Sequence, residues 1–174
     1  MFEKLKKMFS GLFSFGWRED TDIATMWQFE IVRNGVTVAK TKPTHNVTTD
    51  AGRNAARAIL HQASHGSITG FDMLSVGSVD YTPGAGETTL SGEVNDDGLE
   101  RVAGSYTNDV NTGEWKLENT FTYTGANPVT VYTGALFNAS TAGTMLYAAK
   151  FSSSAVLANG DQLKVTVSGS IGAA

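Results

Sequence analysis

Three runs in the last third of the chain, Val129-Thr130-Val131-Tyr132, Met145-Leu146-Tyr147-Ala148-Ala149-Lys150-Phe151 and Gln162-Leu163-Lys164-Val165-Thr166-Val167, are apolar-alternating and separated only by small-residue turns. Residues two apart on a strand share a face, so each run offers an apolar side to one core. Connections this short oblige neighbouring runs to pair as an antiparallel meander. Upstream, Met26 to Arg33 and Val36 to Lys40 flank Asn34-Gly35, a pair suited to the positive φ values of a type I′ hairpin turn. Trp27, Phe29 and Ile31 alternate onto one face of the first of these runs, with Gln28 and Glu30 on the other. Phe71 to Val76, Leu99 to Tyr106, and a run in which Trp115, Leu117, Asn119, Phe121 and Tyr123 share a face bring the expected total to about eight strands. The fold expected is mainly β, an antiparallel β-sandwich of jelly-roll or Ig-like kind.

One interior helix interrupts the strands. Thr48-Thr49-Asp50 supplies capping side chains for a helix from Ala51 to about Ser64, and Gly66 lies just past its end. Its surface is mostly alanine, which lets it lie close on a sheet, while Arg53 and Arg57 form a solvated stripe.

The first residues are built differently. Phe2, Leu5, Phe9, Leu12 and Phe13 recur at spacings of three and four, which places them on one face of an amphipathic helical arm. Residues 1–18 hold Lys4, Lys6, Lys7 and Arg18 against Glu3, a net charge of +3, which leaves −7 on the rest of a chain whose total is −4. The expected division is therefore an arm, residues 1–25, and a sandwich domain, residues 26–174. The segment lacks a small-residue cleavage site after Trp17-Arg18-Glu19-Asp20 and reads as mature sequence. A helix this short is marginal by itself, so its apolar face must be covered by the chain's own sandwich, a neighbouring subunit or an anionic bilayer. The neighbouring subunit is the expectation, because the side chains are large and Gly11 and Gly16 loosen the tie to the domain.

Composition removes several function classes. An acidic chain with pI near 5.3 offers no bulk attraction to nucleic acid, and none is expected as a partner. Without cysteine there is neither a disulfide nor a thiolate nucleophile or ligand. His61 and His65 have i, i+4 spacing, but no acidic residue lies between them, and their position at a helix C-terminus suits imidazole for another reason. Gly77-Ser78 and Gly104-Ser105 lack the glycine spacing of a nucleophile elbow. Asn95-Asp96-Asp97-Gly98 has the residue types of a calcium loop without its ligand ladder, and reads as a turn. No enzyme activity and no cofactor are expected.

Several segments taken in order resemble a group of small tailed-bacteriophage virion proteins. They are Asn46-Val47-Thr48-Thr49-Asp50-Ala51-Gly52-Arg53-Asn54-Ala55 opening a small-residue helix, then Ser75-Val76-Gly77 and Pro83-Gly84-Ala85-Gly86. Next come Thr88-Thr89-Leu90-Ser91-Gly92-Glu93 followed by Arg101, then Gly134-Ala135-Leu136-Phe137-Asn138-Ala139, which carries one extra alanine, and Gly160-Asp161-Gln162-Leu163-Lys164-Val165-Thr166-Val167. The resemblance covers roughly Asn46 to Ile171. It implies a non-enzymatic virion component, either a capsid decoration or cement protein or a tail or fibre protein. Its partners would be copies of itself and other virion proteins, and a homo-oligomer is expected. Phe2, Leu5, Phe9, Leu12 and Phe13 are the expected assembly residues. The alternatives are a carbohydrate-binding or host-adhesion module, in which Tyr81, Tyr106, Trp115 or Tyr132 would stack on sugars, and a membrane-surface protein held by the arm.

Overall fold

The computed structural model describes residues 24–61, 70–109 and 114–170. Its strands are β1 (Ala24–Arg33), β2 (Val36–Lys40), β3 (Thr44–His45), β4 (Val47–Thr48), β5 (Met73–Gly77), β6 (Val102–Ala103), β7 (Ser105–Asp109), β8 (Glu114–Thr122), β9 (Val129–Phe137), β10 (Met145–Leu157) and β11 (Gln162–Ser170). Helix α1 (Asp50–His61) lies between β4 and β5. Sheet A runs β2-β1-β11-β8-β7, with β3 also paired to β1, and sheet B runs β4-β10-β9-β5-β6. All these pairings are antiparallel, so the chain forms the expected β-sandwich.

The inner face of sheet A is the alternation read from sequence. Trp27, Phe29 and Ile31 stand beside Val167, Val165 and Leu163 in register, and Leu117 and Phe121 continue the layer on β8. Leu74, Val76, Leu136 and Phe151 meet them from sheet B. Phe29 and Phe151 pack edge to face, with ring centroids 4.8 Å apart. The Trp27 ring lies on the backbone of Gly134, where a Cβ would come within 2.7 Å of it. Burial of each such side chain contributes roughly 1.5–3 kcal/mol against chain entropy, and the cluster spans both sheets.

Two strand assignments differ from expectation. The described residues hold eleven strands rather than about eight, because β3, β4 and β6 are two-residue pairings too short to show a period. The run Leu99 to Tyr106 is also not one strand. β6 pairs with β5 in sheet B and β7 with β8 in sheet A, so the chain changes sheets at Gly104. A Cβ there would lie 2.6 Å from the Leu117 side chain. Residues 1–23 of the expected arm, the helix end near Gly66 and the turn 110–113 lie outside the described residues, while Ala24 and Thr25 are the first residues of β1.

The hairpin and helix starts follow their local chemistry. Asn34 and Gly35 take φ values of 51° and 76°, as a type I′ turn requires. Thr49 is the N-cap of α1: its hydroxyl oxygen accepts the Gly52 N–H at 2.9 Å and its O–H donates to the Met145 carbonyl. Gly52 allows the helix to sit on β10, since a Cβ would come within 2.6 Å of the Leu146 backbone. The helix is thereby fixed to sheet B at its first turn.

The ends of the chain's long hairpins are tied by a charge pair. At the turn into β11, Gly160 has φ 84° and Asp161 is buried. Arg33, the last residue of β1, donates from Nε and Nη2 to the two Asp161 carboxylate oxygens at 2.7 and 2.6 Å, and the Ala158 N–H donates at 2.9 Å. Arg33 is the main reason the Asp161 carboxyl is held down to about 2, from an ordinary 3.8. A depressed folded-state value means that the native state holds its proton less tightly than the unfolded chain, so this tie contributes fully above pH ~4 and is lost as pH falls toward ~2. Thermal unfolding followed across pH 2–7 should show that loss in the native protein. Asp161→Asn should lower the neutral-pH midpoint by about 4 °C and flatten the acid limb.

Candidate docking surface

Sheet B is buried on its inner face, and over β5, the end of β9 and the start of β10 its outer face is covered by chain without regular structure. Ala135, Phe137, Met145 and Ala148 form a second apolar cluster with Leu90, flanked by Met73 and Tyr81. The covering segment, residues 78–101, is pinned through Arg101. Its Nε and Nη2 pair bidentately with Glu93, the second bond at 2.8 Å, and its Nη1 donates to the carbonyls of Ala139 and Ala142. The guanidinium carbon lies 3.5 Å from the centroid of the Phe137 ring. Ser75 on β5 donates to Glu93 at 2.6 Å. One side chain thus joins the cover, the β9–β10 turn and the sheet beneath.

Burial alone would push the Glu93 carboxyl up, but Arg101 and the Ser75 hydroxyl outweigh it and hold it below the usual carboxylate range. The pair is almost enclosed, with side chains 8% and 13% exposed for Arg101 and Glu93. Removing one partner would strand the other.

The opposite arrangement holds at the edge of sheet A. Tyr106 on β7 points to the inner side, in register with Leu117, yet it is 61% exposed because sheet B does not extend over it. Its ring stacks on Trp115 at 6.5 Å and 26°. The Trp115 ring in turn lies on Gly169 of β11, where a Cβ would come within 2.8 Å of it. Phe71, Tyr106, Trp115, Leu117, Leu136 and Tyr147 line a groove of about 260 Å³ that opens between the sheets at this edge. That is smaller than the ~300–1,000 Å³ usual for small-molecule sites, and its lining is apolar without convergent polar groups.

Of the four aromatics read as sugar-stacking candidates, the fold brings together Tyr106 and Trp115. Tyr81 instead donates to Glu87 and accepts the Ser91 N–H within the cover of sheet B, and Tyr132 lies on β9. His45 is exposed on β3. The side chain of His61 and all of His65 lie outside the described residues, as do Phe2, Leu5, Phe9, Leu12, Phe13 and the side chain of Arg57. Arg53 is exposed and pairs with Asp50. Asp97 and Gly98 form a left-handed turn, with φ 53° and 83°, whose carbonyl at Asp97 accepts the Thr124 N–H. Among the described residues no three His, Asp or Glu side chains are grouped to hold a metal ion, and no helix is long and apolar enough to cross a membrane.

The described residues thus form a two-sheet sandwich with a covered outer layer and an open aromatic edge. The family comparison places it further: the model of the family described as Podophage GP4 fiber I protein gp80 matches residues 56–172. The chain belongs to that family, and is therefore a phage virion component with a structural fibre role. No curated protein matches it.

The Arg101 tie yields a direct test. Glu93→Gln or Arg101→Met, each leaving a buried charge unpaired, should cost about 3 kcal/mol in denaturant unfolding. Arg101→Lys should not restore the loss, since an ammonium cannot bond Glu93 bidentately while reaching two carbonyls. The Glu93→Leu/Arg101→Met double variant should recover most of it.

Proposed function

We propose that the protein is a non-enzymatic structural part of the tail-fibre apparatus, a homo-oligomer whose sandwich, residues 26–174, forms the body and whose arm, residues 1–25, joins it to its neighbours. The observation that carries this reading is the family match over residues 56–172, from within α1 to the end of β11, and a family of fibre proteins favours a fibre position over a capsid-surface one. The exposed Tyr106–Trp115 edge supports it, since apolar inner-face residues left open by a sandwich mark an association surface. Partners on this reading are further copies of the chain and other virion proteins. Nucleic acid and bilayer have no part in it.

The stacked pair Tyr106 and Trp115 also favours a second reading, contact with a host glycan. Sugar sites combine an aromatic platform with several amide, carboxylate or other hydrogen-bonding side chains that fix the hydroxyls, whereas the polar groups of this lining are only those of Tyr106, Trp115 and Tyr147. Apolar docking suits it better.

Deleting residues 1–18 tests the role of the arm. The truncated protein should unfold within about 2 °C of the complete one, because the described core cluster is built from the two sheets with Leu99 and Tyr123 beside them, yet it should fail to enter particles. Normal incorporation of the truncated protein would remove the arm from assembly. Loss of the fold would place the arm's apolar face within its own domain.

A further inference from the structure

The arm and the groove are complementary, and the register of sheet A brings the root of one beside the other. Ala24, where β1 begins, pairs with Ser170 of β11, which pairs with Glu114 of β8, the neighbour of Trp115. Two inter-strand spacings are about 10 Å, so the N-terminal segment leaves the domain beside the groove mouth. The groove is of a size to take single bulky side chains rather than a helix, which matches Phe2, Leu5, Phe9 and Phe13 spaced along one helical face. Asp72 and Glu114, both exposed, adjoin the lining residues Phe71 and Trp115, while the arm carries Lys4, Lys6 and Lys7. Shape, polarity and charge agree.

We propose that the groove is the seat for the N-terminal arm of a second copy of this chain. The inference rests on the self-assembly reading above and names its receiving surface. The connector between the apolar run and β1, residues 14–23, is ten residues long, and a flexible chain of that length has an r.m.s. span of roughly 16–19 Å. A gap of ~10 Å to the chain's own groove lies within that reach, and so does the groove of a neighbour whose edge faces this one. The assembly reading, in which the arm joins neighbouring copies, selects the second. The open side also lies on edge strand β7, beyond which no described strand of sheet A pairs. Reciprocal exchange would close a symmetric pair, and head-to-tail exchange would build a ring or filament.

The absence of cysteine makes the test clean. Ser10→Cys on the polar side of the arm and Asp72→Cys at the groove rim remove none of the apolar anchors. When the two single variants of the full chain are mixed, separated from free reductant and oxidised, a covalent dimer should form that mass spectrometry assigns to residue 10 of one copy and residue 72 of another. Tyr106→Ala with Trp115→Ala should weaken self-association about tenfold or more in sedimentation while circular dichroism stays native. If the link forms only within one chain carrying both cysteines, the arm seats on its own domain and the inference is wrong. If no 10–72 link forms in either arrangement although deletion of residues 1–18 still blocks incorporation, the arm has another receptor and only this inference fails. If deletion is also without effect, the assembly reading fails with it.

Discussion

The Glu93–Arg101 pair is the interaction on which the arrangement of the domain depends. A sheet with apolar residues on both faces needs two covers, and sheet B has sheet A on one side and irregular chain on the other. Irregular chain brings unpaired backbone groups and little packing area, so it stays in place only where strong bonds hold it. Arg101 supplies them. Its Nε and Nη2 engage Glu93, its Nη1 engages the Ala139 and Ala142 carbonyls, and its flat face covers Phe137. Desolvation costs both charges several kcal/mol, and the cost is met because both carboxylate oxygens and all three guanidinium nitrogens find partners. The gain is in geometry: the cover, the β9–β10 turn and β5 are held in one relation.

With that layer sealed, the sides of the sandwich differ in kind. The outer face of sheet A is charged and cross-linked by Glu30 with Lys40 and by Glu118 with Lys116 and Lys164, pairs exposed enough to contribute little stability but well suited to keep that face in water. The Arg33–Asp161 tie closes the turn into β11. The inner face at β7 is left uncovered, and there alone among these faces large aromatics stand open. A virion protein must be soluble before assembly and committed after it. Gathering the open aromatic surface into one small groove, with only scattered valines such as Val36, Val38 and Val156 exposed elsewhere among the described residues, reconciles the two.

Much of this was legible from local sequence. The Asn34-Gly35 hairpin, the Thr49 cap and the alternating faces of β1, β8 and β11 depend on residues near one another in the chain, where turn preference and period act directly. What could not be read depends on register between distant segments. Arg33 and Asp161 are 128 positions apart, and nothing local marks either as paired. Glu93 and Arg101 stood out as an ordered pair of motif residues, but their burial follows from how residues 78–101 fold over Phe137. The change of sheet at Gly104 was hidden within an apparently continuous run, because an alternating pattern does not say which sheet its two halves join. Tyr106 and Trp115 were recognised as exposed-aromatic candidates along with Tyr81 and Tyr132. Which two would meet was decided by the pairing of β7 with β8.

The most direct test of the account is electron cryomicroscopy of the fibre as it stands on the virion. The account predicts this sandwich in the fibre density, in symmetric copies, each with the Tyr106–Trp115 edge filled by helical density that traces to Ala24 of an adjacent copy. Sandwiches placed on the capsid shell, or fibre copies whose grooves face solvent empty, would contradict it.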